Sequence, residues 1–481
     1  MSLLRPDPQS VVIFGASGDL AARKVLPALW SLYRQDLLPE AFAIIGYART
    51  HMTDAEFRSR TRSSIEQHSR IGFDESAWER FSKSLSYVSG EYTDEGGINE
   101  LIPVLQAEEE RFGGPSARLF YCATPPSAFE DIAIGLGGCG LSERGSIVVE
   151  KPFGTDLETA RQLNDLLHRS FDESQILRID HYLGKENVQN ILVLRFSNGM
   201  FEPIWNRRYV AAVQIDVAES LGMEGRGRFY EEAGAIRDIV QNHLLQLLAI
   251  LTMEPPASFD AESIRDEKVK LLRSVRPVSA DEIVKGQYAA GLIDGSVAAA
   301  YRDEDGVAAD SLTETYAAMR VRIENWRWAG VPILLRTGKR MPRRETTITV
   351  IFHDAPHLLF EQSGLARPDP NHLTIKVQPD EGIKITFDAK VPGPEMKVTP
   401  VDMTFDYSQT FGSDPPEAYE RLLRDAMDND PTLFTRADEI ERAWEILEPI
   451  LEKSPSKMYD AGTWGPAEAD RLAEPYGWYV S

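Results

Sequence analysis

Residues 11–20 read Val11-Val12-Ile13-Phe14-Gly15-Ala16-Ser17-Gly18-Asp19-Leu20: four apolar residues, a glycine turn, and the polar opening of a helix. A short, continuous apolar run ending in glycine predicts a fully buried strand. Further runs follow at Ala43-Ile44-Ile45-Gly46-Tyr47, Leu119-Phe120-Tyr121-Cys122-Ala123 and Ile147-Val148-Val149-Glu150, with helical segments between them. Such strands, alternating with helices, predict a Rossmann-like doubly wound α/β domain over residues 1–180. Its ligands would lie beyond the carboxyl ends of the strands.

After residue 180 the pattern changes. Val213-Gln214-Ile215-Asp216-Val217, Thr347-Ile348-Thr349-Val350 and Leu373-Thr374-Ile375-Lys376-Val377 alternate apolar with polar residues. Ile383-Lys384-Ile385-Thr386-Phe387 pairs with the last of these across Asp380-Glu381-Gly382. Period-two alternation predicts antiparallel strands buried on one face. Residues 181–481 are therefore expected to form an α+β domain, a large mostly antiparallel sheet with helices attached.

Composition narrows the function classes. At 481 residues two or more domains are expected, and 42% hydrophobic with 26% charged residues is a globular balance. A net charge of -23 opposes nucleic acid or an acidic membrane as partner. Any bound anion must then meet a local gathering of lysine and arginine. The apolar stretch from Leu244 to Met253 is interrupted by Gln246 and Thr252 and is too short to span a bilayer. The first ten residues lack the apolar core of a signal peptide, so a cytoplasmic location is expected. Two cysteines, Cys122 and Cys139, make no disulfide framework, and eight scattered histidines give no paired metal-ligand spacing, so no metal is expected.

The glycine turn after the first strand fits a dinucleotide loop. Glycine lets the backbone approach a pyrophosphate, and the free amides of the helix N-terminus favour anions. The alternative is a plain strand-to-helix turn capped by Ser17 or Asp19. The second strand ends in Gly46-Tyr47-Ala48-Arg49-Thr50-His51. An arginine there suits the extra phosphate of NADP, where a carboxylate would suit NAD. Asp36 and Glu40 precede that strand and cannot serve.

Three further stretches carry chemistry. Glu150-Lys151-Pro152-Phe153-Gly154 puts a lysine at a strand's carboxyl end, where its ammonium would meet a sugar hydroxyl or a nicotinamide; the alternative is a surface loop. Arg178-Ile179-Asp180-His181-Tyr182-Leu183-Gly184-Lys185-Glu186 packs a carboxylate, an imidazole, a phenol and an ammonium beside a turn. Spaced at 100° over a helix from Ala233 to Leu251, Arg237, Asp238, Gln241, Asn242 and Gln246 share one sector, with His243 about 60° outside it among apolar residues. A buried histidine needs partners for its ring nitrogens, and Asp180 is the carboxylate expected to hold one. An Asp–His pair can take a hydroxyl proton while hydride leaves the same carbon. His181, Tyr182 and Lys185 would offer charge-assisted bonds to an anion, each worth about 1.5–3 kcal/mol. A salt-bridged interdomain turn is the alternative for this stretch.

GASGDLA, EKPFG, RIDHYLGKE and the stretch from Glu232 to Gln246 (EAGAIRDIVQNHLLQ) closely resemble the glucose-6-phosphate dehydrogenase family, in order and in spacing. The resemblance is strong from residue 11 to about residue 345 and looser beyond. It implies His243 as general base at the sugar C1 hydroxyl and Asp180 as its orienting partner. It puts His181, Tyr182 and Lys185 on the 6-phosphate, and Lys151, Glu219 and Asp238 on sugar hydroxyls. Lys339, in Leu335-Arg336-Thr337-Gly338-Lys339, matches a further substrate-side lysine. Gly15, Ser17, Gly18, Arg49, Tyr121 and Lys151 fall on the NADP side, with Thr124-Pro125-Pro126 beside them. The implied reaction oxidises glucose 6-phosphate to 6-phosphogluconolactone with NADPH formed, at the entry to the pentose phosphate pathway, in a homodimer or homotetramer joined through the large sheet. A second, structural NADP known in animal members is not carried over, because Glu345 follows Arg344 where a cation is expected.

Two rivals remain on sequence grounds. A sugar or polyol oxidoreductase of the inositol-dehydrogenase kind also pairs a nucleotide domain with an EKP turn, but has no need of His181 and Lys185. A non-catalytic NADP-sensing regulator predicts decay of the base and the lysine, whereas His243, Asp180 and Lys151 are all present.

Overall fold

The computed structural model describes residues 5–93, 95–357, 369–412 and 416–480. The chain divides into two compact units: Met1–Glu186 with Ala257–Arg265 and Pro416–Glu441, and Asn187–Pro256 with Asp266–Pro415 and Arg442–Ser481.

The first unit is built on β1 (Gln9–Phe14), β2 (Phe42–Ala48), β3 (Leu85–Ser89), β4 (Ala117–Cys122), β5 (Gly145–Glu150) and β6 (Ile176–Ile179). These strands are parallel in the order 3-2-1-4-5-6, the doubly wound arrangement whose order reverses between β1 and β4. Their near-uniform burial explains the apolar runs, since helices on both faces leave no polar side. A short strand Phe434–Thr435 adds to β6 antiparallel, so residues 416–441 return to this unit from late in the chain. The returning segment is pinned by Glu420, bonded to Arg70 at 2.6 and 2.8 Å, and by Glu417, bonded to Lys24 at 3.0 Å.

The second unit holds a nine-stranded sheet of β7 (Val210–Ala218), β8 (Ile283–Ala289), β9 (Tyr316–Val321), β10 (Ile333–Gly338), β11 (Glu345–Phe352), β12 (His372–Gln378), β13 (Gly382–Lys390), β14 (Val398–Asp406) and β15 (Lys457–Asp460). The order is 14-13-12-11-7-10-9-8-15. Pairing is antiparallel except for β7 with β10 and β8 with β15. The expected hairpin forms, with Ile375 opposite Ile383.

One expectation fails here. β7 and β11 are buried almost throughout, not on one face. The C-terminal segment covers the polar side: Gln214 binds Gly477 O at 2.6 Å, and Tyr476 and Tyr479 pack against Ala211, Ala212 and Ile351. The polar members of the alternation are satisfied internally. Arg336 pairs with Asp216 and lies 4.3 Å from the Trp478 ring centroid, and Thr349 meets Thr374 at 3.2 Å. β13 and β14, toward one edge, stay half open, and so does β15 at the other.

Candidate active site

At the carboxyl end of β1, Gly15 adopts φ +75° and its amide donates to Tyr47 O at 2.8 Å. A Cβ there would stand 2.6 Å from Ala123 O, so only glycine lets β1 and β4 close this tightly. Gly18 N then bonds Gly15 O at 2.8 Å and the helical segment begins. Ser17 Oγ meets Thr50 Oγ1 at 3.2 Å, and Arg49 lies 6.0 Å from the Tyr92 ring centroid. Arg60, not singled out from sequence, donates to Ser17 O at 2.6 Å from the helix Asp54–His68. Two guanidiniums thus stand at the loop where an adenosine 2′-phosphate would be read, and the glycine cradle leaves room for a pyrophosphate. These residues fit NADP.

Tyr121 requires a correction. It is fully buried within β4 and donates its hydroxyl to Glu150 at 2.5 Å, leaving no surface for a coenzyme. Tyr419, on the returning segment, donates to the same Glu150 oxygen at 3.1 Å. Burial pushes the Glu150 carboxyl up to about 7, against the lowering effect of both phenols and of Lys151. The adjoining Lys151 is half-buried, and Gly154 closes the EKPFG turn at φ +78°, where a Cβ would meet Ala160 N at 2.5 Å.

The nonapeptide leaves β6 and turns through residues 181–184. Arg178 is fully buried and is bonded to Glu173 at 2.7 Å and Asn164 at 3.0 Å, so it braces the strand rather than meeting a ligand. Asp180 is 1% exposed and accepts the Tyr182 amide at 2.9 Å. The His181 and Tyr182 rings lie 5.2 Å apart edge-on, and Lys185 Nζ sits 4.8 Å from the Tyr182 centroid. Gly184 is packed so closely that a Cβ would approach Ala418 O to 2.6 Å. The first unit therefore gathers an acid, an imidazole, a phenol and an ammonium in one turn.

The second unit supplies another cluster. Glu219 follows β7 and Lys339 follows the adjacent parallel β10, which brings Lys339 Nζ within 2.5 Å of Glu219 Oε2 and 3.8 Å of Asp238 Oδ2. Lys339 is held by Thr315 O on its amide at 2.9 Å and by the Tyr459 hydroxyl on its carbonyl at 2.6 Å.

The histidine-bearing helix differs from the expected one. Gly227–Ala235 is α-helical but breaks at Gly234 (φ 64°, ψ 176°), Ile236–Leu244 is a π-helix, and Leu245–Thr252 is again α-helical. Steps of 100° separate Asp238 and His243 by 140°, whereas the i→i+5 repeat of a π-helix brings residues five apart onto one side. Asp238 and the buried His243 thus share a side, correcting the expected wheel. Glu314, which sequence reading missed, starts this segment: its carboxylate accepts Ile236 N at 3.2 Å and its carbonyl accepts Ala235 N at 3.0 Å. A Cβ on Gly234 would lie 2.5 Å from the Glu314 carboxylate, which is why glycine stands there. Burial raises the Glu314 carboxyl above its ordinary value.

The family models for the glucose-6-phosphate dehydrogenase NAD binding domain and C-terminal domain match residues 12–190 and 192–479. Glucose-6-phosphate 1-dehydrogenase of Aggregatibacter actinomycetemcomitans is 46% identical over 97% of this chain and 96% of its own length. The enzyme of Treponema pallidum (strain Nichols) is 45% identical over 97% and 93%. A solved glucose-6-phosphate dehydrogenase in complex with its substrate glucose 6-phosphate superposes with a TM-score of 0.92 at 37% identity, covering 100% of both chains. With the two family models matching residues 12–190 and 192–479, and relatives 46% and 45% identical over 97% of its length, the chain belongs to the glucose-6-phosphate dehydrogenase family.

Proposed function

We infer that this protein is an NADP-dependent glucose-6-phosphate dehydrogenase, oxidising C1 of glucose 6-phosphate to 6-phosphogluconolactone with NADPH formed. NADP supplies the hydride acceptor. Gly15, Ser17, Gly18 and Arg49, joined by Arg60, would hold it, and Lys151 would serve both the coenzyme and a sugar hydroxyl. The observation that carries the assignment is the folded nonapeptide: one turn presents His181, Tyr182 and Lys185 together on a chain of net charge -23. A phosphate is the group such a turn suits, and an unphosphorylated polyol makes no use of it.

On this proposal His181, Tyr182 and Lys185 hold the 6-phosphate. Glu219, Asp238 and Lys339 hold sugar hydroxyls. The Lys339 ammonium, neutralised by two carboxylates, can donate to one hydroxyl while those carboxylates accept from others. His243 removes the C1 hydroxyl proton, and Asp180 orients the imidazole and stabilises its cationic form. No metal is needed, because the base alone makes the alkoxide-like donor. We place the enzyme in the cytoplasm at the start of the oxidative pentose phosphate pathway, as a homodimer or homotetramer. Among the described residues no helix is long and apolar enough to cross a membrane.

The test is NADPH absorbance with glucose 6-phosphate, glucose, other sugar phosphates and polyols, each with NADP and NAD. Turnover confined to glucose 6-phosphate and faster with NADP is expected. Equal turnover of glucose or a free polyol would favour the polyol oxidoreductase, and no turnover the regulator.

A further inference from the structure

Far from Lys339, the opposite end of the same sheet carries a concentration of positive charge. A cavity of about 860 Å³ opens there, lined by Arg207, Arg276, Arg320, Arg322 and Trp326, with Glu324 and Glu474 as its acidic residues. β10 starts at this cavity and ends at Lys339, so its six residues put roughly 20 Å between the two places. Four guanidiniums stand against three carboxylates once Glu282, paired with Arg322, is included, which leaves a local positive excess on a strongly acidic chain.

The walls are fixed by backbone bonds. Arg320 and Arg322, two apart at the end of β9, point to one face of the strand. Val275 bridges Ile323, Arg276 N bonds Arg322 O at 3.0 Å, Glu324 N bonds Ser274 O at 2.7 Å, and Arg207 N bonds Arg327 O at 2.8 Å. Most guanidinium capacity is still open. Arg276 meets Glu324 at 2.8 Å, Arg322 meets Glu282, and Arg320 donates to Leu472 O at 2.6 Å, while the Arg207 guanidinium has no partner among the described residues. Each side chain carries five N–H donors in a planar fork suited to phosphate.

Trp326 is 98% exposed. Its neighbour Trp328 is fully buried and donates to Thr252 O at 2.7 Å, so the core is complete without Trp326. An indole left in water at the mouth of an arginine-lined cavity is an unused stacking platform.

We propose that this cavity is a second ligand site, taking a nucleotide: polyphosphate on Arg207, Arg276 and Arg322, and the aromatic base on Trp326. The volume falls in the range of small-molecule sites, and the need for both charge and a flat ring separates a nucleotide from inorganic phosphate. None of these residues belongs to the sugar or coenzyme sites above.

The test uses the full-length enzyme with ATP as probe and tryptophan fluorescence as readout. ATP should quench a component that is missing in Trp326→Phe. The Arg207→Gln/Arg322→Gln variant, changed at exposed positions, should shift the midpoint at least tenfold, equivalent to about 1.4 kcal/mol. Inorganic tripolyphosphate should compete with ATP without quenching, and turnover of glucose 6-phosphate in the variants should match the parent. Absence of quenching, identical quenching in Trp326→Phe, or an unmoved midpoint in the arginine variant would overturn the proposal. So would a change of oligomeric state in Trp326→Phe, which would assign the indole to a second copy of the chain.

Discussion

Replacing Glu150 by glutamine should change how the stability of this protein depends on pH. Glu150 is 8% exposed, and both phenols that reach it bond a single oxygen, so its charge is poorly solvated. Burial raises its carboxyl from 4.5 to about 7 in the folded chain. Between those values the folded state binds a proton that the unfolded state has released. Stability from this group is therefore fully present below about pH 4.5 and is lost as pH rises toward 7. At about 1.4 kcal/mol per pH unit, the loss is on the order of 3 kcal/mol. Glutamine is neutral and keeps an acceptor for Tyr121 and Tyr419, so Glu150→Gln should lack this component. Urea unfolding of both proteins at about pH 5 and about pH 8, at one protein concentration, reads the difference directly. The variant should gain about 2.5 kcal/mol on the parent over that interval, since a little of the loss has already occurred by about pH 5, and parallel pH profiles would refute the argument.

Gly15→Ala introduces a side chain at positive φ and 2.6 Å from Ala123 O; a stability loss of about 1–3 kcal/mol and weaker NADP binding should appear in thermal melts and coenzyme titrations. Arg49→Ala should weaken NADP about 10- to 100-fold while NAD binding changes little, the worth of one charge-assisted phosphate contact; equal losses in direct titrations would remove Arg49 from the phosphate. Glu314→Ala deletes the carboxylate that accepts Ile236 N; about 1 kcal/mol of stability and part of kcat should be lost, with Glu314→Gln restoring both, as read by melting and steady-state kinetics.

Much of the first unit was legible in the sequence because its strands are buried on both faces. Apolar runs ending in glycine, as at Phe14-Gly15, then mark strand and turn together. The weakly apolar β3, Leu85–Ser89, is half-buried at the sheet edge and left no such mark. The return of residues 416–441 is equally silent locally, because pairing of Phe434 with Ile179 is decided across more than 250 positions. In the second unit the alternation at Val213–Val217 was real but misread. Gln214 and Asp216 face protein, and their partners Gly477 and Arg336 are far off in sequence. Lys339 and Glu219 were reached through motif resemblance, and their 2.5 Å contact follows from the parallel pairing of β7 with β10, which neither stretch announces. The π-helix was hidden for a related reason: Glu314 and Gly234 define its start, eighty residues apart. Arg60 escaped notice because nothing around it on its helix distinguishes it from a solvated arginine.

The central claim is that His243 is the base that takes the C1 hydroxyl proton. Steady-state kinetics of His243→Asn with glucose 6-phosphate and NADP test it most directly. Turnover should fall by about 10²–10⁴ with the affinity for glucose 6-phosphate largely kept, since asparagine leaves the phosphate and hydroxyl contacts in place but cannot accept the proton. A kcat close to that of the parent protein would contradict it.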